Sequence, residues 1–77
     1  MNTVQLECFI TVAEHLNFSR ASEILRITQP AVSHQIRTLE EELGVKLFKR
    51  TSKNVELTPE GFQFLPDAEL ILKTAAS

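Results

Sequence analysis

Glycine, proline and cysteine are scarce in this chain of 77 residues, which has two, three and one of them. So few chain-breaking residues argue against a disordered or low-complexity segment. The single cysteine, Cys8, excludes an internal disulfide and fits a reducing compartment. Only two histidines accompany it, His15 and His34, far apart in sequence, so no metal site is expected within one chain. No cofactor motif is present either. No apolar run approaches the roughly 20 residues of a membrane span. The opening MNTVQLECF lacks the basic-then-apolar order of a signal peptide. Together these absences point to a cytoplasmic domain without a membrane partner.

A strong excess of either charge is missing as well. The net charge is −2, which taken alone speaks against nucleic acid. The distribution says otherwise. Of eight Lys and Arg, seven (Arg20, Arg26, Arg37, Lys46, Lys49, Arg50 and Lys53) fall in the middle of the chain. Salt screens charges beyond about 8–10 Å, so a local basic surface matters more to a phosphate backbone than the total. A domain this short buries only roughly 60% of its unfolded surface and is marginal alone, which favours a partner or self-association.

The sequence divides into four helices and a hairpin. The first helix is expected to begin at Asn2 or Thr3, with Asn2 and Gln5 as a capping box and Leu6, Phe9, Ile10, Ala13 and Leu16 as its apolar stripe. Ser19 suits the cap of a short second helix, Arg20 to about Arg26, burying Ala21, Ile24 and Leu25. Thr28 is placed to cap the third, with Pro30 in its first turn, where a missing N–H costs nothing, and Gly44 closes it. Leu47 to Arg50 and Val55 to Leu57 form strand-like runs around the polar turn Thr51-Ser52-Lys53-Asn54. Thr58-Pro59-Glu60 then starts the fourth helix, with Pro66 as a kink or a late effective start. The chain stops while still helical, as expected of a piece cut from a longer protein.

The third helix raises the functional question. Val32, Ile36, Leu39 and Leu43 lie within a narrow arc at 100° per residue and form the core side. Pro30, Ser33, His34 and Arg37 fall opposite, with Gln29 on one flank and Ala31, Gln35 and Thr38 on the other. A solvated polar face would give the same pattern. Two helices joined by a short turn and followed by a basic hairpin, however, match the plan of a winged helix-turn-helix. In that plan the second helix enters the DNA major groove, where Gln can pair with adenine and a Pro ring can lie against a thymine methyl. Lys49, Arg50 and Lys53, at or beside the hairpin tip, could reach the adjacent backbone or a narrow minor groove. Glu40-Glu41-Glu42 is expected to be a solvated helix end.

Two other functions compete with DNA binding. Catalysis finds no support, because no glycine-rich phosphate loop is present and no serine pairs recognisably with a base. Cys8 is expected to be packed rather than reactive. A winged helix that binds protein instead of DNA is the serious alternative, because a fold does not fix a function.

The ordered string LECFITVAE, a phenylalanine before the second helix, SRASEIL, TQPAVSHQIRTLEEELGVKLFKRT and ELTPEG resembles the LysR-type transcriptional regulators of bacteria over essentially the whole chain. That resemblance implies a mainly α fold with a small β-hairpin: a winged helix-turn-helix over residues 1–58, then a linker (dimerisation) helix over residues 59–77. It implies a homodimer on double-stranded DNA, at a pseudo-palindromic operator. It also implies a small-molecule effector only for a C-terminal effector-binding domain, absent from this sequence. It places Gln29, Pro30, Ser33 and His34 at base edges, and Thr28, Gln35, Arg37, Arg50, Thr51 and Ser52 near the backbone. Lys49 and Lys53 join them from the charge of the hairpin. One departure matters: the family most often has Arg where this chain has His34. Asn54 and Glu56 also make the hairpin less basic than in many relatives. The apolar residues of the fourth helix, Phe62, Leu65, Ala68, Ile71, Leu72 and Ala75, exceed one stripe and are expected to serve a second subunit. With Lys73 its only cation, a membrane-surface role is disfavoured.

Overall fold

The computed structural model describes residues 1–76. Its elements run α1 (Thr3–His15), α2 (Phe18–Leu25), α3 (Gln29–Leu43), β1 (Phe48–Arg50), β2 (Val55–Leu57) and α4 (Pro59–Ala76). No helix among the described residues is long and apolar enough to cross a membrane.

Local chemistry sets most boundaries. The Asn2 side chain accepts from the Gln5 backbone N–H at 2.8 Å, and the Gln5 Oε1 accepts from the Asn2 N–H at 2.8 Å, a complete capping box. The Thr28 Oγ1 accepts from the Ala31 N–H at 3.2 Å, and Pro30 occupies the first turn of α3. Gly44 ends α3 in the left-handed conformation, φ 71°. The Thr58 Oγ1 caps α4 by accepting from the Gly61 N–H at 3.0 Å.

Four expectations are corrected. Asn17, not Ser19, caps α2, accepting from the Arg20 N–H at 2.9 Å. The helix therefore starts two residues earlier, and Phe18 at its first position turns its ring into the core. Leu16 does not extend the stripe of α1. It is the left-handed C-cap, φ 50°, and is exposed, while Cys8 and Val12 take the inner positions. Ile24 is exposed where burial was expected, because α2 meets the core through Phe18 and Ala21. Pro66 is not a late start: α4 begins at Pro59, and Pro66 lies exposed inside it.

The core is shared by every helix. Leu6, Phe9 and Val12 of α1 meet Ala21, Val32, Ile36 and Leu39, with Leu47 and Phe48 from the approach to the hairpin and Ala68 from α4. The Phe9 ring meets those of Phe48 and Phe64 in tilted contacts, 5.5 Å each between centroids, and Phe48 meets the edge of Phe18 at 5.9 Å. Such pairs add about 0.5–1.5 kcal/mol each beyond the area they bury. This aromatic chain fixes the hairpin to three helices. Gly61 completes the attachment, since a Cβ there would run into the Leu47 carbonyl and the Leu57 side chain.

Of the glutamates expected to be solvated, Glu40 is drawn in from solvent, and Glu42, though exposed, takes two partners. Glu40 turns its Oε2 toward the chain entering the wing, accepting from the Leu47 N–H at 2.8 Å and more weakly from Phe48 at 3.4 Å. The Glu42 carboxylate meets the α-amino group of Met1 at 2.6 Å and the Gln5 Nε2 at 3.0 Å. These two bonds, the α-amino one first, hold its carboxyl below the usual carboxylate range. Glu41 alone of the trio is fully exposed without a partner among the described residues.

Candidate nucleic-acid interface

With its inner arc packed, α3 leaves its opposite edge open. Val32, Ile36 and Leu39 are at most 1% exposed, whereas Pro30, His34 and Arg37 are exposed. Gln29 and the cap Thr28 are exposed as well. Two residues expected on or near this face are only half-exposed. Ser33 shares the edge of Gln29, Ile36 and Glu40, the side toward the wing, and Gln35 lies on the other flank. On that second flank the Gln5 Nε2 donates to the Thr38 Oγ1 at 2.9 Å, so α1 covers what could have been free surface.

The hairpin stands beside the start of α3. Its register pairs Phe48 with Leu57, Lys49 with Glu56 and Arg50 with Val55. The tip is held by Thr51: its N–H donates to the Asn54 carbonyl at 2.8 Å, and its Oγ1 accepts from the Asn54 N–H at 3.0 Å. Lys49, Arg50, Thr51, Ser52 and Lys53 are all exposed. An open cleft of about 630 Å³ brings Gln29 together with Asn17, Arg50, Thr51, Ser52 and Lys53. A second cleft sets Arg37 near Lys46 and Arg50. Arg50 borders both clefts and so joins the Gln29 end of α3, Arg37 and the wing tip.

That surface carries several cations beside the carboxylates of Glu40 and Glu56. Arg20 is paired with Glu23 at 3.5 Å, and Lys46 approaches Glu40 at 4.0 Å. Arg37, Lys49, Arg50 and Lys53 make no ion pair among the described residues. Four cations without an ion pair, with Glu56 across the strand from Lys49 as the nearby opposing charge, surround a polar helix edge and form a template for a polyanion. The local field, not the net charge, is what a phosphate backbone would meet.

Sequence reasoning missed the support for this surface. The Arg50 guanidinium lies over the Phe18 ring, 3.7 Å from its centroid. Gln5, 3% exposed, ties α1 to α3 through Thr38 and Glu42. Gln5 was legible as a cap, but its long-range partners leave no local signal. Cys8 is 1% exposed, and burial first, with Glu7 nearby, pushes its thiol up to about 11. That is an inert, packed cysteine.

On α4 the expected subunit-facing residues divide. Phe62, Ile71 and Ala75 are exposed and Leu65 and Leu72 half-buried, but Ala68 is fully enclosed in the core of the single chain. Ala68 therefore presents no surface to a partner. Its small side chain admits close packing on α1 instead. Leu70, 64% exposed, is a further apolar residue on the open side.

Comparison with known proteins agrees with this architecture. The family model described as "Bacterial regulatory helix-turn-helix protein, lysR family" matches residues 3–62. The HTH-type transcriptional regulator HdfR of Yersinia pestis (strain Pestoides F) is 46% identical over 74 residues, which are 96% of this chain and 25% of that protein. The chain thus spans about a quarter of the curated relatives it matches. A crystal structure of a CbnR DBD–DNA complex superposes with a TM-score of 0.94 at 42% identity, covering 99% of this chain and 87% of that one. The BenM DBD/catB site 1 DNA complex gives 0.91 at 41%, covering 99% and 85%. The chain belongs to the lysR family of bacterial regulatory helix-turn-helix proteins.

Proposed function

We propose that this chain is the sequence-specific, double-stranded-DNA-binding part of a cytoplasmic bacterial transcriptional regulator, and not an enzyme. The observation that carries the reading is the exposed edge of α3, bordered by the unpaired cations Arg37, Lys49, Arg50 and Lys53. Residues 1–58 are the winged helix-turn-helix. Gln29, Pro30, Ser33 and His34 meet base edges in the major groove. Thr28, Gln35, Arg37 and the wing residues Lys49 to Lys53 meet the backbone, and the wing tip lies along the adjacent minor groove. The DNA complexes of the CbnR and BenM relatives support the same assignment by likeness.

Residues 59–77, of which Ser77 lies outside the described residues, act as the linker and dimerisation segment. Phe64, Leu65, Ala68 and Leu72 pack toward this chain's core, Leu65 and Leu72 only in part, and the exposed Phe62, Leu70 and Ile71 beside them call for a second copy. Phe62, Leu65, Ile71, Leu72 and Ala75 supply that contact. A two-fold dimer would match a pseudo-palindromic operator. A small-molecule effector belongs to the remainder of the full-length regulator.

Fluorescence anisotropy with a labelled duplex tests the reading. The logarithm of affinity should fall linearly with that of salt between about 50 and 200 mM, by about 0.9 for each phosphate neutralised. Arg50→Ala should reduce the slope by about 1 for each wing engaged. Failure to bind any duplex at low salt would leave a protein-binding winged helix in its place.

A further inference from the structure

We propose that Glu40 is a positioning residue for DNA binding: its carboxylate holds the strand that carries Arg50 against α3, so that wing and helix engage the duplex together. The inference rests on the DNA-binding assignment above. Glu40 lies on α3 one turn after Arg37, and its side chain is only 11% exposed. Its Oε2 accepts from the Leu47 N–H at 2.8 Å and more weakly from the Phe48 N–H at 3.4 Å. Leu47 leads straight into β1, which consists of Phe48, Lys49 and Arg50.

Other bonds fix the same segment, but none of them reaches α3. The Thr58 N–H donates to the Leu47 carbonyl at 3.0 Å, and the Thr58 Oγ1 donates to the Lys46 carbonyl. Both tie the segment to the start of α4. The hairpin register ties Phe48 to Leu57. Among the described residues, the Glu40 carboxylate is thus the one group of α3 that hydrogen-bonds residues 46–48. A bond to an ionised acceptor is roughly twice as strong as a neutral one, so this single tie is a firm one. It stands where the two halves of the surface meet, since Arg37 and Glu40 line one cleft with Lys46, Phe48 and Arg50.

The charge of Glu40 separates this role from that of a bystander. A carboxylate near a phosphate backbone opposes binding through the local field. Lys46 offsets it little, because its Nζ lies 4.0 Å from the Oε1 on a side chain 78% exposed. Removing a bystander carboxylate should therefore tighten binding. Removing a positioning carboxylate does the reverse, because a released strand costs the wing its phosphate contacts.

The test is fluorescence anisotropy of the whole chain on a duplex that the wild type selects from a random-sequence pool, across about 50 to 200 mM salt. Circular dichroism sets a temperature at which the variants compared are folded. Glu40→Ala should bind about three- to tenfold more weakly at about 100 mM salt, its log–log slope flattened by about 1 for each wing engaged. Glu40→Gln keeps an acceptor without the charge and should bind at least as tightly as the wild type. Glu40→Asp keeps the charge but shortens the reach, so it should resemble the alanine variant and decides the matter if that variant does not fold. In the double variant the losses of Glu40→Ala and Arg50→Ala should not multiply, because both remove the same wing contact. Unweakened binding with an unaltered slope, or losses that multiply, overturns the positioning role while leaving DNA binding intact. Failure of both the alanine and aspartate variants to fold also overturns it, making Glu40 a residue of stability alone. No binding of the wild type to any duplex overturns the DNA reading itself.

Discussion

The guanidinium of Arg50 rests on the ring of Phe18, 3.7 Å from its centroid, and Phe18 in turn meets the ring of Phe48. An exposed wing cation is thus held by a core residue at the start of α2. A cation–π contact at an exposed site contributes about 0.5–1 kcal/mol. Phe18 is 5% exposed, so its substitution also disturbs the core. A double-mutant cycle separates the two effects. With Phe18→Leu, Arg50→Ala and the pair, the coupling energy for duplex binding should be about 0.5–1 kcal/mol. A coupling near zero means that the ring does not position Arg50.

Gln5 spans two helices. Its Oε1 accepts from the Asn2 N–H, and its Nε2 donates to Thr38 and Glu42. At 3% exposure, no solvent replaces those partners. Gln5→Leu should therefore cost about 1–3 kcal/mol in urea denaturation, the range for a buried polar network left incomplete. A change within measurement error would show that α1 and α3 are held by apolar contact alone.

Cys8 sets a pH limit. Its thiol is pushed up to about 11, above the ordinary 9.0, because burial disfavours the thiolate. The unfolded chain deprotonates first. The stability from keeping the thiol neutral is thus full below about pH 9 and lost as pH rises through about 11. Wild-type stability should decline more steeply over that window than that of Cys8→Ala. At about pH 8 a thiol reagent should modify Cys8 only after unfolding. Fast modification of the folded protein would contradict the packing described.

On α4, Phe62 is 65% exposed, Leu70 64% and Ile71 38%. Ile71→Glu places a charge on this surface without touching the enclosed Ala68. Light scattering should then give a dimer for the wild type and a smaller mass for the variant. Equal masses would move the subunit contact elsewhere.

Where a signal is local, the sequence was a sufficient guide. Thr28 with Pro30, Gly44, and Thr58-Pro59-Glu60 each bring their own hydrogen-bond and φ requirements, and each marks the boundary expected of it. Asn17 and Ser19 are both good caps, so the choice fell to tertiary burial of Phe18, which periodicity does not reveal. The exposed edge of α3 followed from its arc. Ser33 is only half-exposed, on the flank of the open edge, and how far neighbouring elements reach over that flank is not written in a helical repeat. Glu40, Glu42 and the Arg50–Phe18 pair depend on partners distant in sequence. By periodicity Ala68 cannot be told from the outward residues, because α4 is apolar on several sides. Only the packed helix shows which side α1 takes.

The most direct measurement is a backbone amide NMR titration of the isotopically labelled chain with a short duplex at low salt. The account predicts that the largest shifts fall on residues 28–37 and 49–53, with α4 little changed. Shifts confined to α4, or none while the duplex is in excess, would contradict it.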